Sequence, residues 1–262
     1  MEPVIGFALC GSFCTFSRVL DVLERLKTQY SNIIPILSEA SYTTDTRFGA
    51  ATDFRTRIEA ICGHEILHTI AQTEPIGPKK LLDCIVIAPC TGNTLAKLAC
   101  GIADSPVTLA AKAHLRNERP IVLAVSTNDA LAGNAPSIGT LLTRRHYYFV
   151  PFSQDNAAKK PRSMVAHFEL LPETIAAALE GRQLQPRLAK SVRKPKYIRH
   201  SAGVKRAQRH AVHGLCMNPV MPEKPPQQLS QRPVLAPAPG EDWILQIPLL
   251  PLQPCEAFAA AG

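Results

Sequence analysis

Asp83-Cys84-Ile85-Val86-Ile87-Ala88 runs directly into Pro89-Cys90-Thr91-Gly92-Asn93-Thr94, and this junction decides the fold. Cys84–Ala88 is apolar without alternation, the pattern of a strand buried on both faces. Pro89 is expected to stop the strand. Leu95–Ala103 then reads as a helix. A buried strand feeding a helix through a short turn is the opening of a parallel βαβ unit. The turn carries Thr91, Asn93 and Thr94, small residues with hydroxyl or amide donors. A helix N-terminus has N–H groups without intrahelical acceptors and a partial positive charge, which suits a phosphate. The same residue types are also ordinary caps.

The pattern repeats outward from there. Toward the N-terminus, Val4–Leu9 is a strand ending in the turn Cys10-Gly11-Ser12. Phe13–Gln29 has helical spacing, with Val19, Leu20, Leu23 and Leu26 on one face. Asn32–Leu37 is a second apolar run, Ser41–Phe48 a polar loop, and Asp53–Cys62 a helix ended by Gly63. Toward the C-terminus, Pro106 opens a helix over Val107–Leu115, followed by a strand at Pro120–Val125. Tyr147–Val150 is the last short strand and Glu173–Leu179 the closing helix. The expected architecture is α/β, a mostly parallel sheet covered on both faces. Ligands of such sheets bind beyond the carboxyl ends of the strands. Gly11-Ser12, Thr91–Thr94 and Ser126-Thr127-Asn128-Asp129 all fall there, and the loop at Ser41–Arg47 is positioned to join them.

Composition sets the limits. The chain has 262 residues, 46% hydrophobic and 19% charged, which suits a packed core. No apolar run is long enough for a transmembrane helix. The net charge is +8, but residues 1–186 contribute +1 and residues 187–262 contribute +7. A near-neutral domain (1–186) is therefore followed by a basic, proline-rich extension (187–262), read as disordered. Tyr197 is the lone aromatic of its basic stretch, so nucleic acid is not an expected partner. The eight cysteines form no C-x-x-C pair and lie mostly in apolar runs, as in a cytoplasmic protein with reduced thiols. Glu2 is the only early charge and Leu9 precedes Cys10, so no secretion signal is expected.

Other short patterns carry less. Gly6-x-x-x-x-Gly11-Ser12 lacks the lysine of a P-loop, and no G-x-G-x-x-G is present. His64-Glu65-Ile66-Leu67-His68 spells a zinc-protease motif, but Gly63 has just ended a helix. If the segment is extended, its histidines lie about 13 Å apart at roughly 3.3 Å per residue, so no metal site is expected. Arg47 is the first candidate for an acidic substrate, with Lys79 and Lys80 next. An ion pair of Arg47 with Asp45 is the competing reading.

Pro89-Cys90-Thr91-Gly92-Asn93-Thr94-Leu95-Ala96-Lys97-Leu98-Ala99 with Gly101-Ile102-Ala103-Asp104 resembles the signature of flavoproteins related to the flavin-containing cysteine decarboxylases. Thr43–Gly49, Glu74–Lys80, Ser126–Leu131, Pro151-Phe152-x-Gln154-Asp155 and Glu180–Pro186 resemble, within that superfamily, the family of dipicolinate synthase B subunits. The resemblance implies a flavodoxin-like three-layer sandwich and an FMN site. Gly11, Ser12, Thr91, Asn93 and Thr94 would contact the phosphate or ribityl chain, Ser126 and Asn128 would lie near the flavin, and Ser38 would stand at the second strand's end. It implies a partner, the synthase A subunit, which binds NAD(P). Together the two would oxidise a dihydrodipicolinate-type dicarboxylate in the mother-cell cytoplasm of a sporulating bacterium. A homo-oligomer is expected. No catalytic proton-transfer residue is assigned. The decarboxylases' Pro-x-Met-Asn-x-x-Met-Trp clamp is absent, with residues 133–142 in its place, which disfavours a decarboxylase or lyase. A non-catalytic subunit that stabilises the A subunit is the other alternative.

Overall fold

The computed structural model describes residues 2–189, so the expected disorder of the extension falls outside the described residues, apart from its first three. Elements follow in chain order as β1 (Ile5–Leu9), α1 (Phe16–Lys27), β2 (Ile33–Leu37), α2 (Glu39–Thr43), α3 (Ala51–Cys62), α4 (Ile70–Thr73), β3 (Cys84–Cys90) and α5 (Gly92–Cys100). Then come α6 (Pro106–Leu115), β4 (Ile121–Thr127), α7 (Ala135–Thr143), β5 (Tyr147–Phe149), β6 (Phe152–Gln154), β7 (Met164–Ala166) and α8 (Leu171–Leu179).

The strands β2-β1-β3-β4-β5 lie side by side and parallel. Chain direction across the sheet reverses between β1 and β3, and the crevice at such a switch is where doubly wound sheets bind ligands. Every residue of β1 and β3 is buried, as their unbroken apolar runs require. The crossovers carry helices to both faces. α1 buries Phe16, Val19, Leu20, Val22, Leu23 and Leu26. It meets the single turn Phe168–Leu170 that leads into α8, while α6 packs with α4 and α5. Gly63 ends α3 in the left-handed region (φ 70°), which a residue without Cβ adopts at little cost.

Four expectations need correction. Pro89 does not stop β3; the strand continues to Cys90. The register with β4 slips between Ile87 and Cys90, so Pro89 sits in an irregularity where no ladder N–H is required of it. Its carbonyl still accepts from the Cys10 N–H (3.3 Å). Second, the polar segment after β2 begins as α2, because Ser38 Oγ accepts from the Ser41 N–H and caps it. Third, β5 is not the last strand. β6 and β7 form an antiparallel pair, and β7 adds to the carboxyl end of β4 (Ser126↔Val165, Thr127↔Met164) after β5 has paired its first half. Fourth, α5 begins at Gly92, three residues before its apolar periodicity. The chain also runs on beside β6 through residue 189, since Arg187 O accepts from the Phe152 N–H and the Ala189 N–H donates to Phe152 O.

His64–His68 is not helical. Leu67 pairs with Ile36 on the outer edge of β2, and the His68 ring lies flat on Tyr42 at 3.7 Å.

Candidate functional site

The carboxyl ends of β1, β3 and β4 meet at one edge of the sheet. After β1 the chain folds back on itself, the Ser12 N–H donating to Cys10 O at 2.7 Å. Ser12 Oγ then lies 2.8 Å from Ser126 Oγ, joining the first and third turns. The Thr15 hydroxyl donates to Ser12 O (2.8 Å) and holds that geometry. Cys10 links the first turn to the second. Its thiol contacts the Thr94 hydroxyl and the Thr91 backbone, yet burial pushes it up to about 11. Cys90 beside it is also pushed well above its usual value by burial. Both therefore stay neutral, and they form an uncharged floor under the turns.

Thr91 caps α5. Its Oγ1 accepts from the Thr94 N–H (3.4 Å) and lies 3.1 Å from Thr94 Oγ1. The N–H groups of Gly92 and Asn93 stand at the first two positions of the helix, where no intrahelical acceptor exists. Asn93 is exposed at that corner. Gly92 was not among the expected contacts, but its backbone has no room for a side chain. A Cβ there would lie 2.8 Å from both Asn134 Cγ and Thr127 Oγ1, and closer still to Asn134 Nδ2. That amide is held in turn by Asp129 Oδ2 (3.3 Å), and the Asp129 N–H donates to Thr127 Oγ1 (3.3 Å). Gly92, Thr127, Asp129 and Asn134 thus lock the second turn to the third. The glycine inside Thr91-Gly92-Asn93-Thr94 was the one sequence signal for this contact.

Gly11 and Asn128 are exposed on the same edge. Ser38 is there too, but its hydroxyl is occupied by Ser41 (Oγ–Oγ 2.9 Å). Arg47 lies beyond α2, its guanidinium 4.9 Å from the centre of the Phe48 ring. Asp45 does not pair with it and accepts instead from the Ala51 N–H at 2.8 Å, at the start of α3. Lys79 and Lys80, the second candidates for an acidic substrate, are not brought together with Arg47. They precede β3, and Lys80 O accepts from Arg119, which precedes β4. That is the amino end of both strands, opposite the three turns.

One constellation gave no sequence signal. Ser153 Oγ lies 2.9 Å from His167 Nε2, and His167 Nδ1 lies 3.3 Å from Glu169 Oε1. Hydrolases activate a serine with this arrangement, but here Ser153 and His167 are both buried at 8% exposure, and the pair pins β6 to the end of β7. His167→Ala leaves a buried hydroxyl unpaired and is expected to cost about 1–2 kcal/mol. The midpoint of denaturant unfolding measures this, and an unshifted midpoint would remove the structural role.

Two clefts of about 440 and 420 Å³ flank the Tyr42–His68 stack, and neither includes a residue of the three turns. Among the described residues, no group of three or more His, Cys, Asp or Glu is arranged to hold a metal, and no helix is long and apolar enough to cross a membrane.

Comparison with known proteins identifies the family. The Flavoprotein family model matches residues 2–157. The dipicolinate synthase B subunit of Bacillus subtilis (strain 168) is 46% identical over 187 residues, which span 71% of this chain and 94% of that protein. The crystal structure of the dipicolinate synthase B subunit from Bacillus halodurans C is also of a protein 46% identical to this chain. It superposes with a TM-score of 0.67 over 72% of this chain and 97% of that one. The FMN-dependent cysteine decarboxylase SpaF shares the fold (TM-score 0.52, 23% identity, 68% of this chain and 95% of its own). The chain belongs to the Flavoprotein family and, within it, to the dipicolinate synthase B subunits.

Proposed function

We propose that this chain is the B-type subunit of a dipicolinate synthase. In this reading it binds FMN at the β1/β3 edge and acts with a separate NAD(P)-binding A subunit to oxidise a dihydrodipicolinate-type dicarboxylate during sporulation, in the mother-cell cytoplasm. The observation that carries the reading is the 46% identity along 94% of the Bacillus subtilis protein. The residues present fit a flavin mononucleotide. Gly92 and Asn93 offer two unpaired N–H donors at the start of a nine-residue helix, where a phosphate is favoured by both hydrogen bonding and the helix dipole. The Ser12–Ser126 hydroxyl pair and exposed Asn128 stand at the ends of β1 and β4, the strands flanking β3, and suit the ribityl hydroxyls and the ring edge. When bound, the flavin would supply a two-electron acceptor. The chain's own part is to hold and orient it, with neutral Cys10 and Cys90 leaving no thiolate beneath.

The first experiment is a visible spectrum of the purified chain after incubation with FMN and removal of the excess. A retained yellow chromophore is expected. Asn93→Ala removes one exposed amide and is expected to weaken FMN about tenfold, the worth of one hydrogen bond to a charged group. A chain that refuses FMN would remove the redox role and leave the protein as a stabiliser of its A partner.

A further inference from the structure

Lys159-Lys160-Pro161-Arg162 lies on the connection between β6 and β7, and neither the fold nor the flavin crevice accounts for it. The register fixes where this connection emerges. Thr127 pairs with Met164 and Ser126 with Val165, so residues 155–163 stand at the carboxyl end of β4, beside Asn128 and Asp129. The Leu131 N–H donates to Arg162 O at 3.0 Å, which lays the Arg162 backbone against the turn that follows β4.

The connection is folded. Gln154 Nε2 donates to Pro161 O (2.8 Å), the Lys159 N–H to Asn156 Oδ1 (3.1 Å), the Lys160 N–H to Asn156 O (2.7 Å), and the Ser163 N–H to Lys160 O (3.1 Å). Its cations are thus presented from a defined turn.

Their pairing is uneven. Lys160 Nζ lies 3.5 Å from Asp155. Lys159 and Arg162 are exposed, and among the described residues neither has a carboxylate partner. Next to Arg162, Ser163 is 1% exposed and its Oγ has no hydrogen-bond partner. Two unpaired cations at one corner of the site suit a carboxylate. A guanidinium fork matches a carboxylate in two parallel bonds, which an ammonium does not.

We propose that Arg162, with Lys159 in support, recognises a carboxylate of the dicarboxylate substrate. This is the role that Lys79 and Lys80 cannot fill from the other end of the strands. The assignment rests on the dipicolinate synthase reading, whose flavin site it adjoins.

The test is calorimetric titration of the full chain, incubated with FMN, with pyridine-2,6-dicarboxylate and with pyridine-2-carboxylate. The unmodified chain is expected to prefer the dicarboxylate. Arg162→Gln should weaken the dicarboxylate at least tenfold and reduce its preference over the monocarboxylate, Arg162→Lys should fall between, and Lys79→Gln should match the unmodified chain. FMN uptake, read by absorbance, should be unchanged in all of them. Loss of selectivity with intact FMN uptake separates recognition from misfolding. Dicarboxylate binding that survives Arg162→Gln undiminished overturns this assignment alone, leaving the flavin reading standing. Absence of dicarboxylate binding by the unmodified chain overturns it as well, and if FMN is also refused the dipicolinate synthase reading falls with it.

Discussion

Gly92→Ala should yield a folded chain whose affinity for FMN is lower by about a hundredfold. The added methyl would stand 2.8 Å from Thr127 Oγ1 and Asn134 Cγ, inside contact distance. Asn134 cannot simply swing away at no cost, because its amide is held by Asp129, which is itself held by Thr127. Either the start of α5 or the loop after β4 must move. Overpacking of this kind costs about 1–3 kcal/mol, tolerable for a domain of this size. The effect on the ligand is larger. The donors at Gly92 and Asn93 and the Ser12–Ser126 pair are useful only in one mutual geometry, and a shift of about 1 Å in such an arrangement costs on the order of 100-fold. Quenching of flavin fluorescence on titration measures it. Adding Asn134→Gly should restore part of the affinity, since it removes the two Asn134 contacts and leaves only Thr127 Oγ1 at 2.8 Å. If Gly92→Ala binds FMN like the unmodified chain, the N-terminus of α5 does not hold the phosphate.

Gly92 also shows where a sequence can and cannot be read. The strands β1, β3 and β4 were legible because burial on both faces leaves an unbroken apolar run, and α1 because one face alternates with charge at helical spacing. β6 and β7 were not, since three residues cannot display a period. Pro89 misled because the rule that proline ends a strand assumes a regular ladder, and the slip between Ile87 and Cys90 removes that premise. In the site, Ser12 and Ser126 were identified separately by their positions at strand ends, and the sheet order explains why they touch. Lys79 and Lys80 carry the right charge, but charge says nothing of which end of β3 they precede. Gly92 went unremarked because a glycine within a capping sequence looks like a spacer. Its reason lies in Asn134, some forty residues away, and no local pattern signals that contact. The Ser153–His167–Glu169 chain is hidden in the same way, its members joined only by the β6–β7 pairing.

His114 should make the fold acid-sensitive well above the carboxylate range. It lies near the C-terminus of α6 at 1% exposure, with Nε2 3.2 Å from Pro120 O. That distance fits a neutral ring donating to the carbonyl. A second proton would place a cation in the core, and burial lowers the ring's pKa from 6.5 to about 4. The hydrogen bond to Pro120 opposes this shift, while nearby Arg119 adds to it and Asp83 opposes it; these two side chains pair with each other at 3.1 Å. Below pH 6.5 the unfolded chain takes up the proton and the folded chain does not, so the unfolded state binds more protons and stability falls with pH. The loss starts near pH 6.5, is complete near pH 4, and amounts to about 3 kcal/mol for a shift of this size. Carboxylates held low, such as Asp104 beside Lys97, contribute their loss only as the pH falls through the carboxylate range. The window between about pH 6.5 and 4.5 therefore lies above the carboxylates' range. Denaturant unfolding of the full chain at about pH 7 and about pH 4.5 should show most of that difference. His114→Gln, which cannot take a proton, should flatten the profile across the window. An unchanged slope in the variant, or an NMR titration of the His114 ring with a midpoint near 6.5, would show that the proton enters the folded state freely and that burial of this ring does not limit stability in acid.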